Sequence, residues 1–326
     1  MDVKRREFIA LLSGLAAWPL TARAQESPRV VRIGYLGFLS ADKHRAKDEA
    51  FRAALRDLGY IEGKNLQIES RFADGDNTLL PELAAELVRL NVDVIVTYAT
   101  GVPAAKSATS TIPIVMAAYT DAVATGLVSS LAHPGGNITG STFFHPEPMA
   151  KRLELLNEAT PAIRRIAAFL FRGSPGNGPV LTAMKATAST VGIRLQGIEL
   201  GRSEELESVF SAMADQQIGG IIVNDHPFFS AEAKRINDLA LKHRFASIGP
   251  LELAPSGGLI AYGVDFTEQY RRAAVFVDKI VKGAKPGDIP IERASKFIMI
   301  VNVKSATALG IKMPTSILLR ADQVIE

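Results

Sequence analysis

From residue 30 onward the chain alternates short runs of β-branched apolar residues with longer stretches in which apolar positions recur at helical spacing. The runs predict strands at 30–36, 66–72, 92–98, 112–118, 166–171, 193–200, 218–223 and 259–264. Short apolar runs bounded by turn formers suit strands buried on both faces. Between the first two, Ala46, Ala50, Phe51, Ala54, Leu55 and Leu58 fall on one side of a helix that Gly59 closes. The same spacing predicts helices at 79–90, 122–132, 149–159, 179–191, 204–216, 231–243 and 268–282. This alternation predicts an α/β fold of parallel sheets flanked by helices.

The alternation breaks at the turn-rich His133-Pro134-Gly135-Gly136-Asn137, which leads into Ile138-Thr139-Gly140-Ser141-Thr142. A second cluster, Pro255-Ser256-Gly257-Gly258, precedes a short apolar run near Tyr262. Both are expected to mark places where the chain crosses between two Rossmann-like lobes joined by a hinge. The expected partition is 28–142 plus about 264–293 in lobe 1, and 143–261 plus about 294–326 in lobe 2.

The first 24 residues break the pattern in another way. Lys4, Arg5 and Arg6 precede an apolar run over 8–20 and then Ala22-Arg23-Ala24, the three parts of a secretory signal, with cleavage expected after Ala24. The run is too short for the roughly 20 residues that span a bilayer, and the paired arginines followed by Glu7, Phe8 and Ile9 fit the twin-arginine subtype. The expected location is the periplasm. Cleavage of 24 residues from the 326 leaves 302, enough for two domains. It also removes Lys4, Arg5, Arg6 and Arg23 against Asp2 and Glu7, so the formal charge falls from +3 to about +1. So small a charge gives no electrostatic reason to bind nucleic acid or an anionic membrane. The chain has no cysteine, which excludes disulfides, thiolate metal sites, a cysteine nucleophile and lipoprotein attachment.

Catalytic motifs are missing as well. No H-E-x-x-H, G-x-S-x-G, Walker loop or G-x-G-x-x-G occurs, and the histidines at 44, 133, 145, 226 and 243 are dispersed, as solvated or structural histidines are. Gly173-Ser174-Pro175-Gly176-Asn177-Gly178 lies between a predicted strand and helix but lacks the lysine and Ser/Thr of a phosphate loop, so it reads as a turn. No metal, cofactor or catalytic residue is expected. Position supplies the candidates instead, because open α/β sheets bind ligands beyond the carboxyl ends of their strands. There stand Phe38, Leu39 and Ser40; Tyr98, Ala99 and Thr100; and Tyr119, Thr120 and Asp121. In the second lobe the equivalents are Arg172 and Ser174, then Asn224 and Asp225, with Thr142 and Tyr262 at the crossings completing the set. Hydroxyls, aromatic faces, an arginine and two acids suit a small organic solute with an apolar body and a carboxylate, an amine or both. Helix capping is an equal reading for Asp121 and Asp225.

Several longer segments resemble the substrate-binding proteins of ABC transporters in the TrpX-like tryptophan/tyrosine group. They are Leu83-Ala84-Ala85-Glu86-Leu87-Val88 leading into Val92-Asp93-Val94-Ile95-Val96, Ala108-Thr109-Ser110-Thr111-Ile112-Pro113-Ile114-Val115, and Gly126-Leu127-Val128 through His133-Pro134-Gly135-Gly136-Asn137-Ile138-Thr139-Gly140. Towards the end, Gly257-Gly258-Leu259, Tyr262-Gly263-Val264-Asp265, Lys282-Gly283-Ala284-Lys285-Pro286 and the closing Leu319-Arg320-Ala321-Asp322-Gln323-Val324-Ile325-Glu326 fit the same group. The resemblance implies a type I periplasmic binding fold that closes on a small solute, an amino acid or aromatic acid, and presents it to an inner-membrane permease. It implies no catalysis. In that reading Tyr98 and Tyr119 wall the apolar body, Thr100, Ser40 and nearby amides hold an anionic group, and Asp225 takes an amine. A monomer without a nucleic-acid partner is expected. The alternatives are an exported sensor feeding a signalling receptor and an exported α/β enzyme. Asp121-Ala122 replaces the Asp-Pro that the group usually shows after its fourth strand.

Overall fold

The computed structural model describes residues 30–143, 146–294 and 296–326; the expected signal at 1–24 lies outside the described residues. The first lobe runs β1 (Val31–Gly37), α1 (Ala41–Asp57), β2 (Leu66–Phe72), α2 (Leu80–Arg89), β3 (Val94–Tyr98), α3 (Gly101–Ala108), β4 (Ile114–Tyr119) and β5 (Ile138–Thr142). The second runs α4 (Pro146–Ala159), β6 (Arg165–Phe171), α5 (Asn177–Thr190), β7 (Arg194–Leu200), α6 (Glu205–Asp215), β8 (Gly220–Val223), α7 (Pro227–Ala231), α8 (Ala233–Lys242), β9 (Ala246–Gly249) and β10 (Ile260–Val264). The chain then returns to the first lobe as α9 (Phe266–Val281), which packs on α1 and β4, and β11 (Glu292–Arg293), which pairs with β5. It ends in the second lobe with β12 (Phe297–Asn302), α10 (Val303–Leu309), α11 (Thr315–Leu318) and β13 (Gln323–Ile325).

The sheet orders are β11-β5-β4-β3-β1-β2 and β13-β12-β10-β9-β8-β6-β7. In each, the first two strands lie side by side and the next three extend from the other flank of the first, so the two lobes repeat one winding. The order reverses between β1 and β3 and again between β6 and β8, the crevices where such sheets take ligands. Strands β3, β4, β6 and β8 are buried along almost their whole length, as strands covered on both faces must be.

Three features depart from the sequence expectation. The sheets are not wholly parallel: β12 comes back from the other lobe instead of over a crossover helix, and runs antiparallel to β10. The helix expected at 122–132 is a single turn and a loop. Gly126 adopts φ +71° and stops it, while Asp121 Oδ1 accepts from the amides of Val123 and Ala124 at 3.1 and 3.0 Å. Finally, β5, β9, β11, β12 and β13 are strands that the apolar-run rule did not predict. In β5 the sequence is Ile-Thr-Gly-Ser-Thr, yet all five residues are buried. Two of its three hydroxyls find backbone acceptors, Thr139 on the Ile289 carbonyl at 2.9 Å and Thr142 on that of Tyr119 at 3.1 Å, while Ser141 Oγ is buried without a partner among the described residues. Polar residues satisfied in this way lie in a core without the usual desolvation cost.

Gly140 in β5 has φ +131°, and a Cβ there would collide with the backbone of Met116 on β4. Gly140→Ala is expected to destabilise the protein by about 3 kcal/mol, read as a lower urea midpoint at unchanged slope.

Candidate functional site

The loops at the two switch points face each other and enclose a cavity of about 700 Å³, counting the part open to solvent. The first lobe contributes His44 and Lys47 from α1, Tyr98, Ala99, Thr100 and Pro103 around the start of α3, and Ala118, Tyr119 and Thr120 at the end of β4. Phe143, and Phe266 and Tyr270 of α9, complete that wall. The second lobe contributes Ser174 and Pro175 after β6, and Asn224, Asp225, His226, Pro227 and Ser230 after β8.

The first wall is an aromatic stack. Tyr98 is buried, its hydroxyl accepting from the amides of Phe38 and Leu39 at 3.1 and 3.2 Å, which ties the loop after β1 to the end of β3. Burial raises its pKa above the ordinary phenol value. The His44 imidazole lies parallel to the Tyr98 ring, centroids 4.4 Å apart and planes within 3°, and meets Tyr270 edge-on at 5.0 Å. Its Nε2 is 2.6 Å from the hydroxyl of Tyr35. Burial, and secondarily the Lys47 charge, lowers the His44 pKa to about 3, so the ring is neutral. Ala99 holds φ +46°, a conformation that alanine adopts only under constraint from its surroundings.

The second wall is organised by a residue that sequence reasoning missed. Arg152 of α4 is fully buried. Its Nη1 and Nη2 grip the two carboxylate oxygens of Asp225 at 2.7 and 2.5 Å, Nη1 also reaches the Val223 carbonyl at 2.9 Å, and Nε reaches that of Tyr262 at 2.7 Å. Gly263 leaves the guanidinium room to lie on the backbone. Asp225 lines the cavity and carries the counter-charge of an internal arginine; it does not cap α7, a role that its neighbour His226 fills by accepting from the Phe228 amide at 3.2 Å. The His226 ring stacks on Phe171 with centroids 3.7 Å apart.

The lobes touch at the cavity edge. Phe38 packs edge-on against Phe171 and His226, Lys47 reaches Glu252 at 3.0 Å, and Lys43 reaches Glu232 at 3.4 Å. Burial alone would raise the Glu252 carboxyl, but Lys47 outweighs it and holds the pKa below the ordinary value.

Seven of the expected residues line the cavity: Tyr98, Thr100, Tyr119, Thr120, Ser174, Asn224 and Asp225. Leu39, Ser40 and Arg172 line a neighbouring groove that also holds Asp76 and Arg202. Asp121, Thr142 and Tyr262 line neither. Asp121 caps its turn, Thr142 bonds the β4 backbone, and the Tyr262 ring stacks on Phe297 with centroids 5.7 Å apart. His44 had a legible signal, since it shares the α1 stripe with Phe51 and Leu55; Arg152 sits likewise among Met149, Leu153 and Leu156. A charged or titratable residue in an apolar stripe marks an internal partner.

The profile of ABC transporter substrate binding proteins matches residues 32–325, and the chain belongs to that family. A tyrosine-binding protein of Clostridioides difficile is 27% identical over 285 residues, 85% of this chain and 81% of that one. Among solved structures, an ABC domain from Streptococcus pneumoniae in complex with L-Trp is 25% identical, covers 91% of this chain and 100% of its own, and superposes with a TM-score of 0.84. A conserved domain protein of Vibrio cholerae gives 26%, 91%, 100% and 0.85. The fold is the two-lobed α/β architecture of type I periplasmic binding proteins, and the resemblance to the tryptophan/tyrosine group agrees with these relatives.

Proposed function

We propose that this chain is the periplasmic solute receptor of an ABC importer and that it captures an aromatic amino acid or aromatic acid in the cavity between its lobes. One observation carries the reading: the switch-point loops of both lobes converge on a space walled by Tyr98, Tyr119, Phe143, Phe266 and Tyr270, in which the hydroxyl of Thr100 is buried without a hydrogen-bond partner among the described residues. The rings suit a flat apolar body, and the hydroxyl suits its polar end. The similarity to a tyrosine-binding protein and to a domain holding L-Trp supports the same solute class.

In this reading the chain is exported through residues 1–24 and works as a monomer without catalysis. Lobe 1 comprises 28–142 with about 264–293, lobe 2 comprises 143–261 with about 294–326, and the lobes swing about the crossings to close on solute. A permease that favours the closed form then draws the liganded receptor, a shift of population and not a chemical step.

A thermal-shift series with L-tryptophan, L-tyrosine and simple aromatic acids tests it. A solute at 100 times its Kd adds about 2.7 kcal/mol, which in a protein of this size raises Tm by about 5 °C. Small-angle scattering with that solute should show a smaller radius of gyration. A flat response across the series removes the proposed solute class, and an unchanged radius removes hinge closure.

A further inference from the structure

We propose that His44, held in its Nδ1-protonated tautomer by Tyr35, presents that N–H to the carboxylate of the bound solute; this rests on the solute-receptor reading above. The tautomer follows from acid–base chemistry. A phenol is a stronger acid than a neutral imidazole N–H, and an imidazole nitrogen is a stronger acceptor than a phenol oxygen. The 2.6 Å separation between the Tyr35 hydroxyl and His44 Nε2 fits an O–H donor and is short for an N–H donor. Tyr35 therefore donates, Nε2 accepts, and the one ring proton of the neutral imidazole sits on Nδ1.

That proton has no use inside the protein. Nδ1 is buried and has no hydrogen-bond partner among the described residues, in a side chain that lines the cavity. Native structures rarely leave a buried N–H unpaired, and one that faces a cavity is placed to meet a water or a ligand there. The ring lies face to face on Tyr98 and meets Tyr270 edge-on, which fixes its plane.

The surroundings select an anionic acceptor. Thr100 Oγ1, likewise buried and unpartnered among the described residues, lines the same cavity two residues beyond Tyr98. Lys47, one helical turn from His44, lines that wall as well, its ammonium paired with Glu252 at 3.0 Å. Asp225 is the sole carboxylate among the described lining residues, and its charge is matched by Arg152. A solute carboxylate at this wall would meet a ring N–H and a hydroxyl beside the Lys47–Glu252 pair, with the charge of Asp225 already matched.

Two readouts test this. In the ligand-free protein, ¹⁵N chemical shifts of the His44 ring, assigned by their loss in His44→Asn, should report protonated Nδ1 and bare Nε2. In Tyr35→Phe the two forms should mix, which loss of packing alone would not produce. By calorimetry the wild type should bind L-tryptophan or L-tyrosine and should bind tryptamine and tyramine, which lack the carboxylate, roughly 10- to 100-fold more weakly. His44→Phe should lose a similar factor for the amino acids. His44→Asn, whose amide N–H falls near the Nδ1 position, should recover most of it, and circular dichroism should show both variants folded. A proton on Nε2 in the free protein, amines bound as tightly as the amino acids, or a His44→Phe variant that binds like wild type would each overturn the assignment. Failure of wild type to take any of the four probes or the simple aromatic acids would overturn the solute class and the carboxylate with it, whereas a wrong tautomer would overturn His44 alone.

Discussion

Asp225→Asn is expected to destabilise the protein by about 3–5 kcal/mol. The carboxylate neutralises Arg152, whose side chain has no exposure at all while that of Asp225 has 3%. Removing the charge leaves a guanidinium in the interior with carbonyl oxygens for company and no counter-ion. Arg152→Met should cost a similar amount for the mirror reason. The double variant should be markedly more stable than the sum of the two predicts, because neither partner is then left alone. Urea unfolding of the four proteins gives the cycle. A loss below about 1 kcal/mol for Asp225→Asn would mean that water reaches the pair. The same bonds tie the loop after β8 to β10 and so fix the second wall of the cavity; solute affinity should fall in both single variants alongside stability.

Stability is also expected to fall as pH drops below 6.5, with His44 as the largest single cause. Its folded-state pKa is lowered from 6.5 to about 3, so above pH 6.5 neither the folded nor the unfolded chain protonates it and it contributes nothing. Below 6.5 the unfolded chain takes up a proton that the folded chain refuses, and stability is lost progressively down to about pH 3, by roughly 5 kcal/mol in all. The groups packed on the ring explain the refusal: Tyr35, Tyr98 and Tyr270 are neutral, and the nearby charge of Lys47 opposes another positive one. Glu252 acts in the same direction at lower pH. Its depressed pKa makes the Lys47 contact stabilising above about 4.5, and that contribution is lost as the carboxylate protonates. Denaturant midpoints at pH steps from 8 to 4 should fall in wild type from about 6.5 downward, and His44→Asn should remove that first part of the slope. Parallel curves would contradict the buried neutral histidine.

Much of this architecture was legible in the sequence because burial on both faces writes itself as uninterrupted apolar runs. Thus β1, β3, β6 and β10 fall within two residues of expectation at each end, whereas β2, whose limits coincide with the expected 66–72, is a partly exposed edge strand read from its alternating Leu66, Ile68 and Phe72. The rule fails where a strand is buried by satisfying polar groups instead of by lacking them, as in β5, and where an apolar stretch is cut by a glycine in the left-handed region, as at Gly126. The candidate positions after β3, β4 and β8 came from the switch-point rule, and all of them but Asp121 line the cavity. What that rule cannot see is pairing at a distance. Arg152 and Asp225 are 73 residues apart, and Tyr35, His44, Tyr98 and Tyr270 come together from two strands and two helices. Such contacts leave only the faint mark of a polar residue in an apolar stripe.

The central claim is that one small aromatic carboxylate occupies the cavity between the lobes. Its most direct test is mass spectrometry of the small molecules released on denaturing protein purified under native conditions. Wild type should release close to one equivalent per chain, and Ser174→Trp, which places an indole in the cavity from the second lobe, should release almost none while remaining folded. Equal amounts from the two proteins, or a released molecule with neither an aromatic body nor a carboxylate, would contradict it.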